Sequence, residues 1–285
     1  MKLILSRKGF DSANGGMPSP ILPCGKAVSL PIPATRSPLK LKELKADGYD
    51  LKKIISDLGN SNISLEQCVH LDPDIDRSAI EKRPEGWRGA FGQVGAAQSH
   101  LEKNKVGRGD IFIYFGWFKE IELKNGNWRF KPGAPDLHVI YGWLFVYEVL
   151  PVYGNEEVIM NKYKWLERHP HLCEVNSPNN TIYIGKEYLS NMIGADKPSY
   201  GTFDCVKDAH ILTDKNQNNR SIWKLPSCFL PDNNKSALSY HGNSSRWQIK
   251  DRDWVTLRSV GRGQEFILDT TYYPGVIEWI SELFS

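Results

Sequence analysis

Two long apolar stretches constrain this chain more than any other feature. Ile111-Phe-Ile-Tyr-Phe-Gly-Trp-Phe118 follows a Gly109-Asp110 turn and reads as a strand apolar on both faces. His138 to Val149 is a second apolar, aromatic stretch, and Asn125-Gly126 is the hairpin signal between Ile121 and Phe130 that brings the chain back. Each stretch carries a glycine near its middle, Gly116 and Gly142, where strands bend or let another backbone approach. Together they predict a tightly curved sheet or a small barrel.

The remaining pattern is strand-rich α+β. Lys2-Leu-Ile-Leu5, Asn180–Ile184, Ile211–Thr213 and Gln264–Asp269 read as strands, and Lys26–Pro33 as a short hairpin strand. Helical spacing is present in Leu39–Leu58 (one or two short helices), Gly92–Lys103, Asn161–Arg168 and Val276–Phe284, with a turn or short helix at Lys186–Met192. Lys215–Arg220 and Asp232–Ser245 are polar loops. No repeat, low-complexity tract or linker divides the 285 residues, so one domain is expected, with a β subdomain around residues 105–200.

Composition narrows the function classes. An apolar fraction of 40% with 24% charged residues is that of a globular protein rather than a disordered one. The formal net charge of +3 is too small for a DNA coat, so attraction to a polyanion needs local clustering. Five cysteines without a CxxC pair argue against a disulfide framework and for a reducing compartment. No apolar run approaches the ~18 residues of a membrane helix, and Met1–Leu5 is too brief for a signal peptide. A cytoplasmic protein with no membrane partner is expected.

Five constellations could carry chemistry. Ser6, Arg7, Lys8, Gly9, Phe10 and Asp11, followed by Asn14, Gly15 and Gly16, run from a strand into a turn with two adjacent cations. Arg offers a bidentate fork, Lys a point charge, and Gly a close backbone, which together suit a phosphate; a solvated basic turn has the same composition. The order GxxxxGK[ST] and the dinucleotide fingerprint GxGxxG are both absent. His70, Asp72, Asp74 and Arg77 place carboxylates beside an imidazole, an arrangement used for general bases and cations and also for turn capping. Phe91-Gly-Gln93, with Gln98 and His100, offers amides that pair with base edges or simply solvate a helix. Tyr114, Trp117, His138, Tyr141 and Trp143 could line a cavity for a flat base, or be core. His169-Pro-His171 with Cys173 resembles half of a zinc site, but the sequence supplies no second cluster, and no metal ligand is assigned. GxSxG, HExxH and the HxE/PCxxC pair of deaminases are absent.

An ordered set of motifs carries a family resemblance. It comprises Leu5-Ser-Arg-Lys-Gly-Phe-Asp11 with Gly15-Gly16, His70-Leu-Asp-Pro-Asp74, Phe91-Gly-Gln93 with Gln98, His100 and Leu101, and Gly109–Phe118. His138–Trp143, His169-Pro-His171 and Ser221-Ile-Trp-Lys-Leu-Pro226 complete it. From Met1 to about Trp279 the chain resembles the third nucleotide modification associated domain family of prokaryotic and phage proteins. That resemblance implies association with systems that modify nucleotides or DNA bases, and brings no established reaction. Over Gly109–Val149 the chain also looks like pseudouridine-synthase-associated (PUA-like) barrels, which would imply binding of a base.

The expected ligand is therefore a nucleotide or nucleic acid. Ser6, Arg7, Lys8, Gly15, Gly16, Arg77, Gln93, Tyr114, Trp117 and Trp143 are the candidate binding residues. Asp11, His70, Asp72, Asp74 and His138 are the candidates for proton transfer. No cofactor is identifiable. A transferase or hydrolase and a non-catalytic reader of modified bases remain alternatives, divided by whether His70, Asp72 and Asp11 converge within a few ångströms on one pocket or are scattered caps.

Overall fold

The structure, a computed structural model, describes residues 1–12, 15–46, 48–59, 64–173, 175–187, 198–231 and 237–285. Asn14, most of Lys186–Met192 and the start of Asp232–Ser245 lie outside the described residues. The fold is α+β.

Its centre is the Ile111–Lys124 strand, whose inner half alternates between two cores. Ile111, Ile113 and Phe115 pack on one face with Trp223, Leu225, Val255 and Leu257. Phe112, Tyr114 and Phe118 pack on the other with Phe91, Ile182 and Tyr183. Both faces of the sheet are covered, which is why this stretch shows no polar alternation. The strand pairs antiparallel with Leu137–Phe145 and parallel with Lys2–Arg7, and Glu265–Asp269 adds antiparallel beyond Lys2–Arg7. Tyr200–Thr202, Ser19–Ile21 and Asn127–Phe130 complete a seven-stranded mixed sheet.

Asn125 and Gly126 adopt positive φ (52° and 78°) in the predicted hairpin. The partner strand stops at Phe145, and Glu148–Pro151 leaves it to pair with Thr181–Ile184 in a second sheet, so the single stretch to Val149 is two strands in two layers. The pair slips register between Tyr114, opposite Gly142, and Phe115, opposite Ile140, so the extra residue, Tyr141, lies on the partner strand. The described strands form open sheets rather than a closed barrel. No described helix is long and apolar enough to cross a membrane.

Other elements differ from the sequence pattern at their ends. Phe91-Gly-Gln93 is strand rather than helix, because Ala90–Gln93 pairs with Thr181–Ile184; the helix begins at Gly95. Of Lys26–Pro33 only Ile32–Pro33 is strand, paired with Val69–His70. The helix near Asn161 sits earlier, at Glu156–Lys162, followed by short helical turns at Lys164–Leu166 and Pro170–Cys173. A third sheet of Ile222–Pro226, Trp254–Arg258 and Trp247–Ile249 covers the second core together with the Gly275–Leu283 helix.

Gly116 has a specific packing reason. A Cβ there would lie 2.6 Å from the Lys8 carbonyl oxygen, a backbone atom that cannot swing aside. Lys8 is itself held by its N–H donating to the Phe115 carbonyl at 2.9 Å. Gly116→Ala is therefore expected to lower stability by about 1–3 kcal/mol in chemical denaturation, the usual cost of overpacking. An unchanged midpoint would mean the strand relaxes there without cost.

Candidate functional site

The C-terminal end of Lys2–Arg7, the His70–Asp72 turn, Ala90–Gln93 and the Pro170–Cys173 helical turn meet around a cavity of about 580 Å³. That volume is in the range of small-molecule sites. Its lining includes Arg7, Lys8, Asp11, His70, Asp72, Gln93, Trp117 and His138, residues spread over more than 130 positions of sequence. It also includes His171, Arg220, Ser221 and Gln264.

Asp72 is the most constrained group. Its side chain is only 5% exposed, and its Oδ1 accepts the Gly92 N–H at 2.8 Å. Three imidazoles surround it: His169 Nε2 stands 3.5 Å from Oδ1, while His171 Nε2 and His70 Nε2 stand 3.6 and 3.9 Å from Oδ2. Burial pushes the Asp72 carboxyl up to about 8 and the imidazoles of His70 and His171 down to about 4 and about 3. His169 is likewise driven well below its ordinary range by burial.

The ring orientations are fixed by neighbours. Asn180 Nδ2 donates to the carbonyls of His171 (2.6 Å) and Val175 (3.0 Å), so its Oδ1 faces His171 Nδ1 at 2.7 Å as an acceptor. His171 Nδ1 must then carry the proton, and its Nε2 presents a lone pair toward Asp72. His169 Nδ1 accepts the His171 N–H at 3.3 Å, so its own proton sits on Nε2, 3.5 Å from Asp72 Oδ1. Gly92 permits the arrangement, since a Cβ there would lie 2.1 Å from the His171 ring.

The two cations of the opening segment are engaged internally. Lys8 Nζ pairs with Glu265 Oε1 at 2.8 Å and lies over the Phe91 ring, with Glu265 itself 1% exposed. Gln93 Nε2 donates to the same oxygen at 2.6 Å, and Gln93 Oε1 accepts the Val94 N–H. Arg7 donates through Nη1 and Nη2 to the carbonyls of Gly261 and Val260, which leaves its Nε without an acceptor among the described residues. Arg220 lies 4.2 Å over the Trp117 ring, whose indole N–H is anchored on Asp136 at 2.6 Å. A flat cation–ring pair on the cavity wall is the sort of surface on which a base stacks.

His138 also has an assigned tautomer. The Trp223 indole donates to His138 Nδ1 at 2.9 Å, so the neutral ring offers an Nε2–H donor. Burial, helped by the charges of Arg7 and Arg220, lowers its pKa to about 3.

Several candidates lie elsewhere. Asp74 accepts both guanidinium nitrogens of Arg83 (2.8 and 2.7 Å) and the Trp87 indole N–H, and Arg77 lies over the Trp87 ring. Trp143 packs against Phe203 and Phe284 with its indole N–H on the Pro198 carbonyl. Ser6 and Tyr114 are fully buried behind the cavity wall, in register with each other and with Glu265. The Ser6 and Tyr114 hydroxyls and Glu265 Oε2 lack hydrogen-bond partners among the described residues. Gly15 and Gly16 close the turn with a Gly16 N–H to the Asp11 carbonyl. Glu265 and Arg220 carried no sequence signal, one being an alternating strand residue and the other a loop cation.

Residues 2–269 match the family described as nucleotide modification associated domain 3. The chain belongs to that family. No curated protein and no solved structure matches it. Family membership connects this nucleotide modification associated domain with nucleotide modification, and the match spans every element that lines the cavity.

Two consequences can be measured. Glu265→Ala leaves Lys8 buried without its counter-charge and is expected to lose about 3–5 kcal/mol, whereas Lys8→Met with Glu265→Leu loses much less. Equal losses would show that the pair is not a unit. His138 and His241, whose pKa burial lowers to about 4, are neutral when folded and protonate near 6.5 when unfolded. The unfolded chain thus binds more protons between about pH 6.5 and 3–4, and stability falls as pH drops through that window, by roughly 1.4 kcal/mol per pH unit for each group. Thermal melts across pH should show this slope, shallower in His138→Gln; an identical slope in the variant contradicts the assignment.

Proposed function

We propose that the cavity binds a nucleotide or a nucleotide unit of nucleic acid and that the protein acts on it in a base-modification system. The observation that carries this reading is the convergence of Arg7, Arg220 on Trp117, Gln93, His138 and Asp72 on one cavity. The base would stack at Trp117 beside Arg220. Gln264, whose Oε1 accepts from Gln93 Nε2 at 3.2 Å, stands where an amide could pair with a base edge, and the Nε2–H of His138 would donate to a carbonyl or phosphate oxygen. The phosphate falls to Arg220 and Arg7, because Lys8 is neutralised by Glu265.

His70 and Asp72 stand 3.9 Å apart on a cavity wall that also includes Asp11, and the approach of the first two favours an enzyme over a reader. Transfer to the nucleotide, or hydrolysis at it, is the reaction class that a carboxylate–imidazole cluster serves. Asp74 takes no part, being committed to Arg83.

Titration calorimetry with a panel of nucleoside monophosphates, nucleoside triphosphates and short single strands tests the binding claim. Trp117→Ala is expected to cost about 1–3 kcal/mol, or roughly 5- to 150-fold in Kd. Arg220→Ala should weaken phosphorylated ligands more than nucleosides. Absence of binding across the panel, or binding indifferent to both substitutions, contradicts it. Mass spectrometry of the same ligands before and after incubation separates an enzyme from a reader.

A further inference from the structure

The Asp72 cluster has a geometry that hydrogen bonding does not account for. The Nε2 atoms of His70 and His171 stand 3.9 and 3.6 Å from Asp72 Oδ2, beyond hydrogen-bond reach. The three donor atoms nevertheless lie within 4.8 Å of one another, and all three residues line the cavity. Ligands at about 2.1 Å from one metal ion stand roughly 3.0–3.5 Å apart. Closing by a few tenths of an ångström, and by at most about 1.3–1.8 Å for a pair at the 4.8 Å limit, would seat an ion among them.

The surrounding hydrogen bonds leave the His171 and Asp72 atoms available and orient them. Asn180 takes the Nδ1 proton of His171, so the Nε2 lone pair faces inward. The Gly92 N–H occupies Asp72 Oδ1, and His169 Nε2 stands 3.5 Å from the same oxygen, which leaves Oδ2 toward His70 and His171. His169 Nε2 is buried and has no hydrogen-bond partner among the described residues. Ligating imidazoles and carboxylates are oriented by outer partners of this kind.

We propose that His70, Asp72 and His171 hold one divalent transition-metal ion, of the zinc or iron(II) type, with its open coordination positions facing the cavity. Two imidazole nitrogens and one carboxylate oxygen form a borderline donor set that favours such ions over magnesium or calcium, whose sites are built from oxygens. Three protein ligands leave room for water or substrate, the pattern of a catalytic rather than a structural site. This deepens the reading of the same cavity but needs only its side chains, whatever the nucleotide proves to be.

The test uses the full chain stripped with a chelator and titrated with Co(II), then with Zn(II) and with Fe(II) under anaerobic conditions. One equivalent should bind, and Co(II) should develop a visible ligand-field band. His171→Ala and Asp72→Asn should each weaken binding on the order of 100-fold or more, and Asn180→Ala by about 10- to 100-fold, since it removes the groups that orient the His171 ring but no ligand. His100→Ala, outside the cavity, should bind like the parent. If a variant does not fold, pulsed EPR of a paramagnetic ion in the unsubstituted protein decides, because two coordinated imidazoles are expected. Failure to bind one equivalent, fewer than two imidazoles, or folded variants that bind like the parent would overturn the proposal. Nucleotide binding measured in the presence of chelator is a separate readout, so the metal site and the nucleotide reading can fail independently.

Discussion

The burial of one carboxylate organises this protein's cavity. Asp72 sits where a strand of the second sheet, a helical turn and the loop after Val69–His70 meet, and all three present polar groups to it. An isolated carboxylate in such a place is costly, and the cost falls only with protonation, a cation or a full set of donors. Gly92 serves twice, through its N–H and through the missing Cβ that lets the His171 ring come close. Asn180 orders the loop behind that ring with two carbonyl contacts while fixing its tautomer. A substitution at either position would disturb the ring orientations before it disturbed the core.

Beside that cluster, Lys8 and Glu265 form a second buried unit. Glu265 belongs to the last strand and Lys8 follows the first, so their pairing joins the chain's two ends beside the cavity. Ser6, Tyr114 and Glu265 lie in one row across three strands with polar atoms unsatisfied by the described residues, which makes the wall behind the cavity polar as well. Such a wall lets the site hold charge that the aromatic core around Phe91 and Phe112 could not.

Much of the fold was legible because its signals were local. The Ile111–Phe118 run, the Asn125-Gly126 turn and the amphipathic C-terminal helix each depend on neighbouring residues alone. The third sheet was not legible, since Ile222–Pro226, Trp247–Ile249 and Trp254–Arg258 are short and their pairing spans polar loops. Gly92 and Gln93 resembled a helix start until pairing with Thr181–Ile182 made them strand. The site was legible in pieces: the opening segment, the His-Asp turn and the His169–His171 pair each stood out. What no local pattern could supply was distance: the fold sets Asp72 within 4 Å of both His70 and His171, joining a residue of the His-Asp turn to one member of the histidine pair. The same blindness made Lys8 resemble a phosphate grip, because its partner lies 257 residues away.

The proposed nucleotide site unites these separated segments in one cavity, and a crystal structure of the protein with a bound nucleotide is its sharpest test. Density for the base is expected against Trp117 and Arg220, with the reacting portion of the ligand within reach of His70, Asp72 and His171. A nucleotide bound on another surface, with this cavity holding only solvent, would contradict it.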